Sequence, residues 1–294
     1  MGAPWRDHPS WQVVEIVTEA VGRDAGELLT TADADTLRQT RNSQLAAFTL
    51  SILIADAAGF AGVAGAGTQG GVVGVAGHSL GEYTALVVAG ALDLADGARL
   101  VAARGDAMQE AADSRPGTMA AVLGLEPEGV AKACSAVQGA WVANDNAPGQ
   151  IVIAGTSDGI DKASEAAKEL GAKRVMPLQV GGAFHSPLMA SAQKPLDSAL
   201  VAAPWPSKPT TIPVIANVDA APHHEGFQAL LSSQLCSPVR WRESLTALSG
   251  LGADRFLELG PGTELSGMVK RTVAGATRAN VAKPDDLSKL KEFL

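Results

Sequence analysis

Apolar residues recur every three or four positions over residues 11–21 and again over residues 37–59, so each stretch predicts a helix. Gly22 stops the first, residues 30–35 form a polar connection, and the second is apolar on most sides, as a core helix is. Residues 57–71 are rich in glycine and alanine and read as a loop. A valine-rich run at 72–76 then predicts a strand, and an amphipathic segment from Glu82 to residue 90 a helix. Another helix over 93–112 ends before the breaker Ser114-Arg115-Pro116-Gly117.

The pattern shortens after that point. Strands are predicted at 119–125, 140–143, 151–154 and 173–180, with helices at 127–137 and 160–170 and a turn at 144–149. The order β-α-β-β-α-β is that of a ferredoxin-like unit, here bounded by Pro116-Gly117 and Gly181-Gly182. Helices then alternate with apolar strands: helix 191–202 (containing Pro195), strand 212–216, helices 227–235 and 238–248, and strand 255–259. Gly260-Pro261-Gly262 turns into helix 263–273, followed by strand 279–282 and helix 286–293. Strands separated by helices predict an α/β fold with a parallel sheet covered on both faces. The expected division is a large unit of residues 1–115 with 181–294, interrupted by a small subdomain of residues 116–180.

Composition narrows the range of functions. Of 294 residues, 46% are hydrophobic and only 4% aromatic, enough for a sizeable core packed by alanine, valine and leucine. A net charge of −8 argues against nucleic acid or an anionic membrane as partner, because no basic stripe is present to release counterions. Cys134 and Cys236 are far apart and have no metal-ligand spacing, so reduced structural thiols are expected. The start carries Arg6, Asp7 and His8 and lacks a signal-peptide pattern. The most apolar run, 45–55, is too short to span a bilayer. These features predict a soluble, cytoplasmic protein.

Candidate chemistry centres on Gly77-His78-Ser79-Leu80-Gly81, placed between the predicted strand and helix. In that context G-x-S-x-G is a nucleophile elbow, so the large unit is expected to have a hydrolase-like core. Glycines on either side of Ser79 let neighbouring backbone approach, and the helix N-terminus offers free N–H groups. Gly155-Thr156-Ser157-Asp158-Gly159 fits the same pattern, but Thr156, Ser157 and Asp158 read there as helix caps. A serine nucleophile needs a base. Of the five histidines, His78 points away across the turn, His8 lies in an N-terminal loop, and His223 and His224 lack a metal-ligand partner. His185, in Gly181-Gly182-Ala183-Phe184-His185-Ser186-Pro187, sits where a strand re-enters the large unit and is the best candidate. No carboxylate stands out as its third partner, and a backbone carbonyl suffices to orient the ring. Arg104, on an alanine-rich helix, is a candidate clamp for a substrate carboxylate.

Four motifs in this order resemble the malonyl-CoA:acyl-carrier-protein transacylases and the acyltransferase domains of polyketide and fatty-acid synthases. They are Gly77-His78-Ser79-Leu80-Gly81-Glu82-Tyr83, Leu100-Val101-Ala102-Ala103-Arg104-Gly105, Ala183-Phe184-His185-Ser186-Pro187-Leu188-Met189 and Leu257-Glu258-Leu259-Gly260-Pro261-Gly262. The resemblance runs from about Met1 to the last helix. It implies that Ser79 attacks malonyl-CoA, His185 is the base, the Gln234 carbonyl holds the imidazole and Arg104 clamps the malonyl carboxylate. It further implies that the Leu80 N–H donates to the oxyanion and that Phe184 favours malonyl over methylmalonyl groups. The acceptor would be the phosphopantetheine thiol of an acyl carrier protein, with no cofactor. Lys173, Arg174, Arg240, Arg242, Lys270 and Arg271 are candidates for docking that acidic carrier.

One departure matters. The family opens with a strand and a G-Q-G-x-Q loop whose glutamine gives a second oxyanion N–H, and no such motif occurs near Met1. The expectation is a chain shortened by a start-site choice. Alternatives are a serine hydrolase that edits acyl carriers, or a catalytically impaired carrier-binding remnant.

Overall fold

The computed structural model describes residues 1–60 and 71–293. The centre of the core is helix α4 (Thr40–Ala57), whose Leu45, Phe48, Ile52, Leu53 and Ile54 are fully buried. It packs against α6 (Leu94–Ser114), which also meets α1 (Gln12–Val21) and α9 (Ala190–Ala202). The stretch between α1 and α4 is more structured than its polarity predicts. Asp24 and Asp33 accept backbone N–H groups of Glu27 and Thr36, capping short helices α2 (Ala25–Thr30) and α3 (Ala34–Arg38). Gln39, at ψ 126°, then separates α3 from α4, so residues 37–59 are not one helix.

Residues 118–177 form a four-stranded antiparallel sheet of order β3-β4-β2-β5, from β2 (Thr118–Leu123), β3 (Ala140–Ala147), β4 (Gln150–Gly155) and β5 (Arg174–Pro177). Strict alternation gives this sheet two apolar faces. Ala120, Val122, Ile151 and Ile153 pack under α7 (Pro127–Ser135) and α8 (Ser157–Glu169). Met119, Ala121, Val152 and Ala154 pack against Ala183, Phe184 and Leu188, the segment that carries His185. The sheet thus supports a candidate base from beneath. Strand β3 runs to Ala147, into the turn expected at 144–149, with register shifts at Val142/Asn144 and Asp145/Ala147.

The remaining strands are short. Val75–Ala76 (β1) pairs in parallel with Val214–Ile215 (β6), which pairs antiparallel with Pro222–His223 (β7). Arg255–Leu259 (β8) pairs in parallel with Thr277–Val281 (β9). Among the described residues the parallel sheet is therefore in two pieces rather than continuous. A cavity of about 670 Å³ lies between them, lined by Val72–Ala76 on one side and Phe256–Leu259 on the other. Residues 238–248 do not form one helix either. Val239 lies alongside β3, exchanging backbone hydrogen bonds with Ala143 and Asp145, so α11 begins at Trp241 and runs to Gly250. Helix α10 (Phe227–Gln234) precedes it, and α12 (Glu264–Thr272) follows β8. The C-terminus is a 3-10 turn, Pro284–Lys289, leading into the short α13 (Leu290–Phe293).

Strand β1 leads into Gly77, Ser79 and α5 (Gly81–Val88). A Cβ on Gly77 would lie 1.9 Å from the Gly81 backbone and 2.6 Å from Glu82 N, whereas one on Gly81 would meet nothing within 4 Å. Only Gly77 is sterically required, which corrects the equal weight given to both glycines above. Gly77→Ala is expected to cost about 3 kcal/mol or more, because the clash is with backbone. Gly81→Ala is expected to be neutral or to stabilise by ~0.5–1 kcal/mol through helix propensity. Denaturant melts of the two variants check this.

Candidate active site

Ser79 lies in the left-handed region at φ 52°, and so does His185 at φ 57°. Such backbones cost non-glycine residues ~1–3 kcal/mol and persist only where surrounding contacts impose them. Both side chains meet: Ser79 Oγ is 2.7 Å from His185 Nε2. His185 Nδ1 is 3.0 Å from the Gln234 carbonyl at the end of α10, so Nδ1 carries the proton and Nε2 accepts from the serine. Burial and the nearby Arg104 charge push the His185 pKa down to about 3, leaving the ring neutral with the Nε2 lone pair directed at Ser79. At the N-cap of α5, the Leu80 N–H has no hydrogen-bond partner among the described residues.

Arg104 is 1% exposed and comes from the middle of α6. Gly105 lets α6 approach α4 there, since a Cβ would lie 3.0 Å from Arg41 Cα. One guanidinium nitrogen donates to Gln44 Oε1, and the other reaches Ser79 Oγ at 3.0 Å and Gln234 Oε1 at 3.1 Å. Its Nε is buried without a partner, and it enters no ion pair among the described residues. Burial accordingly lowers its pKa. A buried cation that makes no direct ion pair is costly, and an incoming carboxylate beside the nucleophile would relieve that cost. Phe184 is half-buried, packed between the main core and the sheet face beneath His185.

Several residues around this centre were not singled out by sequence pattern. Glu82, in the first turn of α5, accepts from Asn217 N at 2.9 Å and Gln234 Nε2 at 2.8 Å, and burial pushes its pKa up to about 7. Asn217 follows β6 and bonds the elbow backbone, while Gln44 on α4 supports Arg104. Polar residues within apolar runs, or at the carboxyl end of a parallel strand, are the signals that mark them. His78 does point away from the serine. Its ring reaches Asn146 Oδ1 at 2.8 Å, across to β3, and lies beside Trp241. The 670 Å³ cavity touches Gly77, His78 and Gly81 but not Ser79, His185 or Arg104.

Comparison with known proteins gives the family. Residues 8–286 match the acyl transferase domain model. The chain belongs to the acyl transferase domain family. Among members of this family, it is 40% identical over 275 residues to the malonyl CoA-acyl carrier protein transacylase of Bacillus subtilis, covering 92% of this chain and 84% of that one. The acyl-carrier-protein S-malonyltransferase structure from Burkholderia pseudomallei superposes with TM-score 0.89 at 37% identity, over 99% of this chain and 94% of that one. A malonyl-transacylase, solved in complex with a type II PKS acyl-carrier protein, gives TM-score 0.90 at 32% identity, over 99% and 94% of the two chains.

The other candidate groups of this acyl transferase lie elsewhere. Ser157 opens α8, where the Thr156 side chain accepts from Gly159 N as the cap. His8 accepts from Ser10 N, His223 bonds Asp219, and His224 bonds the Thr210 carbonyl. Among the described residues no cluster of metal-binding side chains occurs, and no helix is long and apolar enough to cross a membrane.

The His185 shift has a sign. An unfolded histidine takes a proton near pH 6.5, the folded ring only near pH 3, so folding is destabilised as pH falls through that window. Between pH 7 and pH 5, wild-type stability is expected to fall by about 2 kcal/mol more than that of His185→Gln. Denaturant melts of both proteins at the two pH values measure the difference.

Proposed function

We propose that this chain transfers a malonyl group from malonyl-CoA to the phosphopantetheine thiol of an acyl carrier protein, through a malonyl-serine ester, in fatty-acid biosynthesis. The observation that carries this reading is the buried Arg104 guanidinium, which makes no ion pair among the described residues and lies 3.0 Å from Ser79 Oγ. A planar fork in that position suits a carboxylate held beside the thioester under attack. The names of the relatives above support the same reading.

In this reading Ser79 Oγ bonds to the thioester carbonyl carbon while its proton passes to His185 Nε2. Negative charge develops on the carbonyl oxygen, toward which the Leu80 N–H donates. The intermediate collapses, the C–S bond breaks, and the coenzyme A sulfur leaves with the proton from His185. The carrier thiol then attacks the malonyl-serine ester, His185 accepts the thiol proton, and returning it to Ser79 Oγ regenerates the enzyme. Gln234, through its carbonyl, keeps the ring in the tautomer both halves need. The chain's own side chains supply every proton transfer, so the reaction calls for no resident cofactor.

Phe184, beside His185, leaves less room for an α-methyl branch and favours malonyl; a methyl group is worth ~1–3 kcal/mol of discrimination. The docking charges narrow as well. Arg240 and Arg242 are paired with Glu243 and Asp145, and Arg271 donates to Gln150. Lys173, Arg174 and Lys270 are the better candidates for an acidic carrier. The proposed division is a large catalytic unit, 1–115 with 181–294, and a small unit, 116–180, in a cytoplasmic enzyme.

Incubation with malonyl-CoA is expected to add one malonyl mass to Ser79, and Ser79→Ala to abolish it. Label should then move to holo-acyl carrier protein; release mainly as free malonate would identify a hydrolase instead. Arg104→Ala is expected to lower kcat/KM for malonyl-CoA about 10²-fold, the loss of a charge-assisted pair worth about 3 kcal/mol. Its rate with acetyl-CoA should fall far less. Equal losses on both thioesters would remove the carboxylate role.

A further inference from the structure

The backbone at Ser79 is held by side chains from outside the elbow. Asn217 Oδ1 accepts from Ser79 N at 2.6 Å, and Asn217 Nδ2 donates to the Gly77 carbonyl at 2.9 Å. One amide therefore bridges the two backbone groups on either side of His78. Gln234 Nε2 donates to the Ser79 carbonyl at 3.1 Å. Glu82 Oε2 ties these arms together, accepting from Asn217 N and from the same Gln234 Nε2. Glu82, Asn217 and Gln234 are each no more than 1% exposed. They come from α5, the end of β6 and the end of α10, the last of which also orients His185.

We infer that Asn217 and Glu82 are positioning residues for the acyl transfer. Asn217 imposes the left-handed turn of Ser79 by spanning Gly77 and Ser79. Glu82 fixes Asn217 and the Gln234 side chain relative to that turn. Together they hold Ser79 Oγ within hydrogen-bond reach of His185. In a residue that disfavours φ 52°, loss of the bridge frees the turn to relax, carrying the hydroxyl away from the ring. Neither side chain bonds to Ser79 Oγ or His185, and Asn217 does not bond to Arg104, so the loss of Asn217 falls on the rate of serine attack rather than on acyl recognition; Glu82 also steadies Gln234, whose Oε1 accepts from Arg104.

This rests on Ser79 being the nucleophile, and the test separates the two ideas. Labelling of Ser79 by a fluorophosphonate probe reports elbow reactivity without malonyl recognition. Wild type should label, and Ser79→Ala should not; an unlabelled wild type overturns the nucleophile reading itself. Asn217→Ala is expected to slow labelling and single-turnover malonylation ~10–100-fold, with half-saturating malonyl-CoA changed less than ~3-fold. Glu82→Ala should slow fluorophosphonate labelling likewise, a readout that does not depend on Arg104. Glu82→Gln keeps an oxygen able to accept from Asn217 N and Gln234 Nε2, and should recover to within several-fold of wild type. Because Asn217→Ala could unfold the chain, the Glu82→Ala and Glu82→Gln pair is compared at matched folded fraction by circular dichroism. Wild-type labelling in folded Asn217→Ala, a change confined to half-saturation, or no difference between the two Glu82 variants would overturn the inference.

Discussion

The backbone of Gly77 crosses the first turn of α5 so closely that no side chain fits between them. That crossing reverses the chain within a few residues and leaves Ser79 in a left-handed conformation at the start of a helix. Much else around the site follows from it. Strand β1 must end where β6 ends, so that Asn217 can reach the turn. Helix α10 must deliver Gln234 to both Ser79 and His185. The elbow is thus a meeting point of three elements rather than a local turn.

Electrostatics in the site follow from burial. Arg104, His185 and Glu82 are all shielded from water, and burial acts on each against its charged form. The histidine is neutral, so its Nε2 lone pair is open to the serine hydroxyl. The arginine remains charged because guanidinium is so basic, and its amide partners Gln44 and Gln234 solvate it without neutralising it. An anion-shaped need is therefore built beside the nucleophile. In the proposed reaction that need would distinguish a carboxylated acyl group from a plain one.

The small antiparallel sheet contributes through its second face. One face closes its own core, and the other carries the segment from Ala183 to Leu188. Irregular pairing in β3 also places Asn146 against His78 and Asn144 beside Val239. The sheet is tied to the elbow from one side and to the histidine loop from the other.

Period and punctuation determined most elements: the β-α-β-β-α-β order, the strand-turn-helix around Ser79, and the helices bearing Arg104 and preceding Gln234 were legible because they are written in adjacent residues. Ser79, His185 and Arg104 stood out because chemistry-bearing residues broke apolar or glycine-rich surroundings. The pairing of distant segments was not written locally. The sequence alone contains no measure of which strand lies beside β1, so Asn217, Glu82 and Gln44 passed as ordinary polar residues. The same limit explains the missed breaks at Gln39 and Val239, where a tertiary partner overrode local helical periodicity. Among the described residues the parallel strands form two pieces with a cavity between them, an arrangement set by pairing and not by spacing. Sequence determined which groups were capable of the chemistry; tertiary structure decided which of them meet, because hydrogen bonds across more than a hundred residues depend on packing and not on spacing.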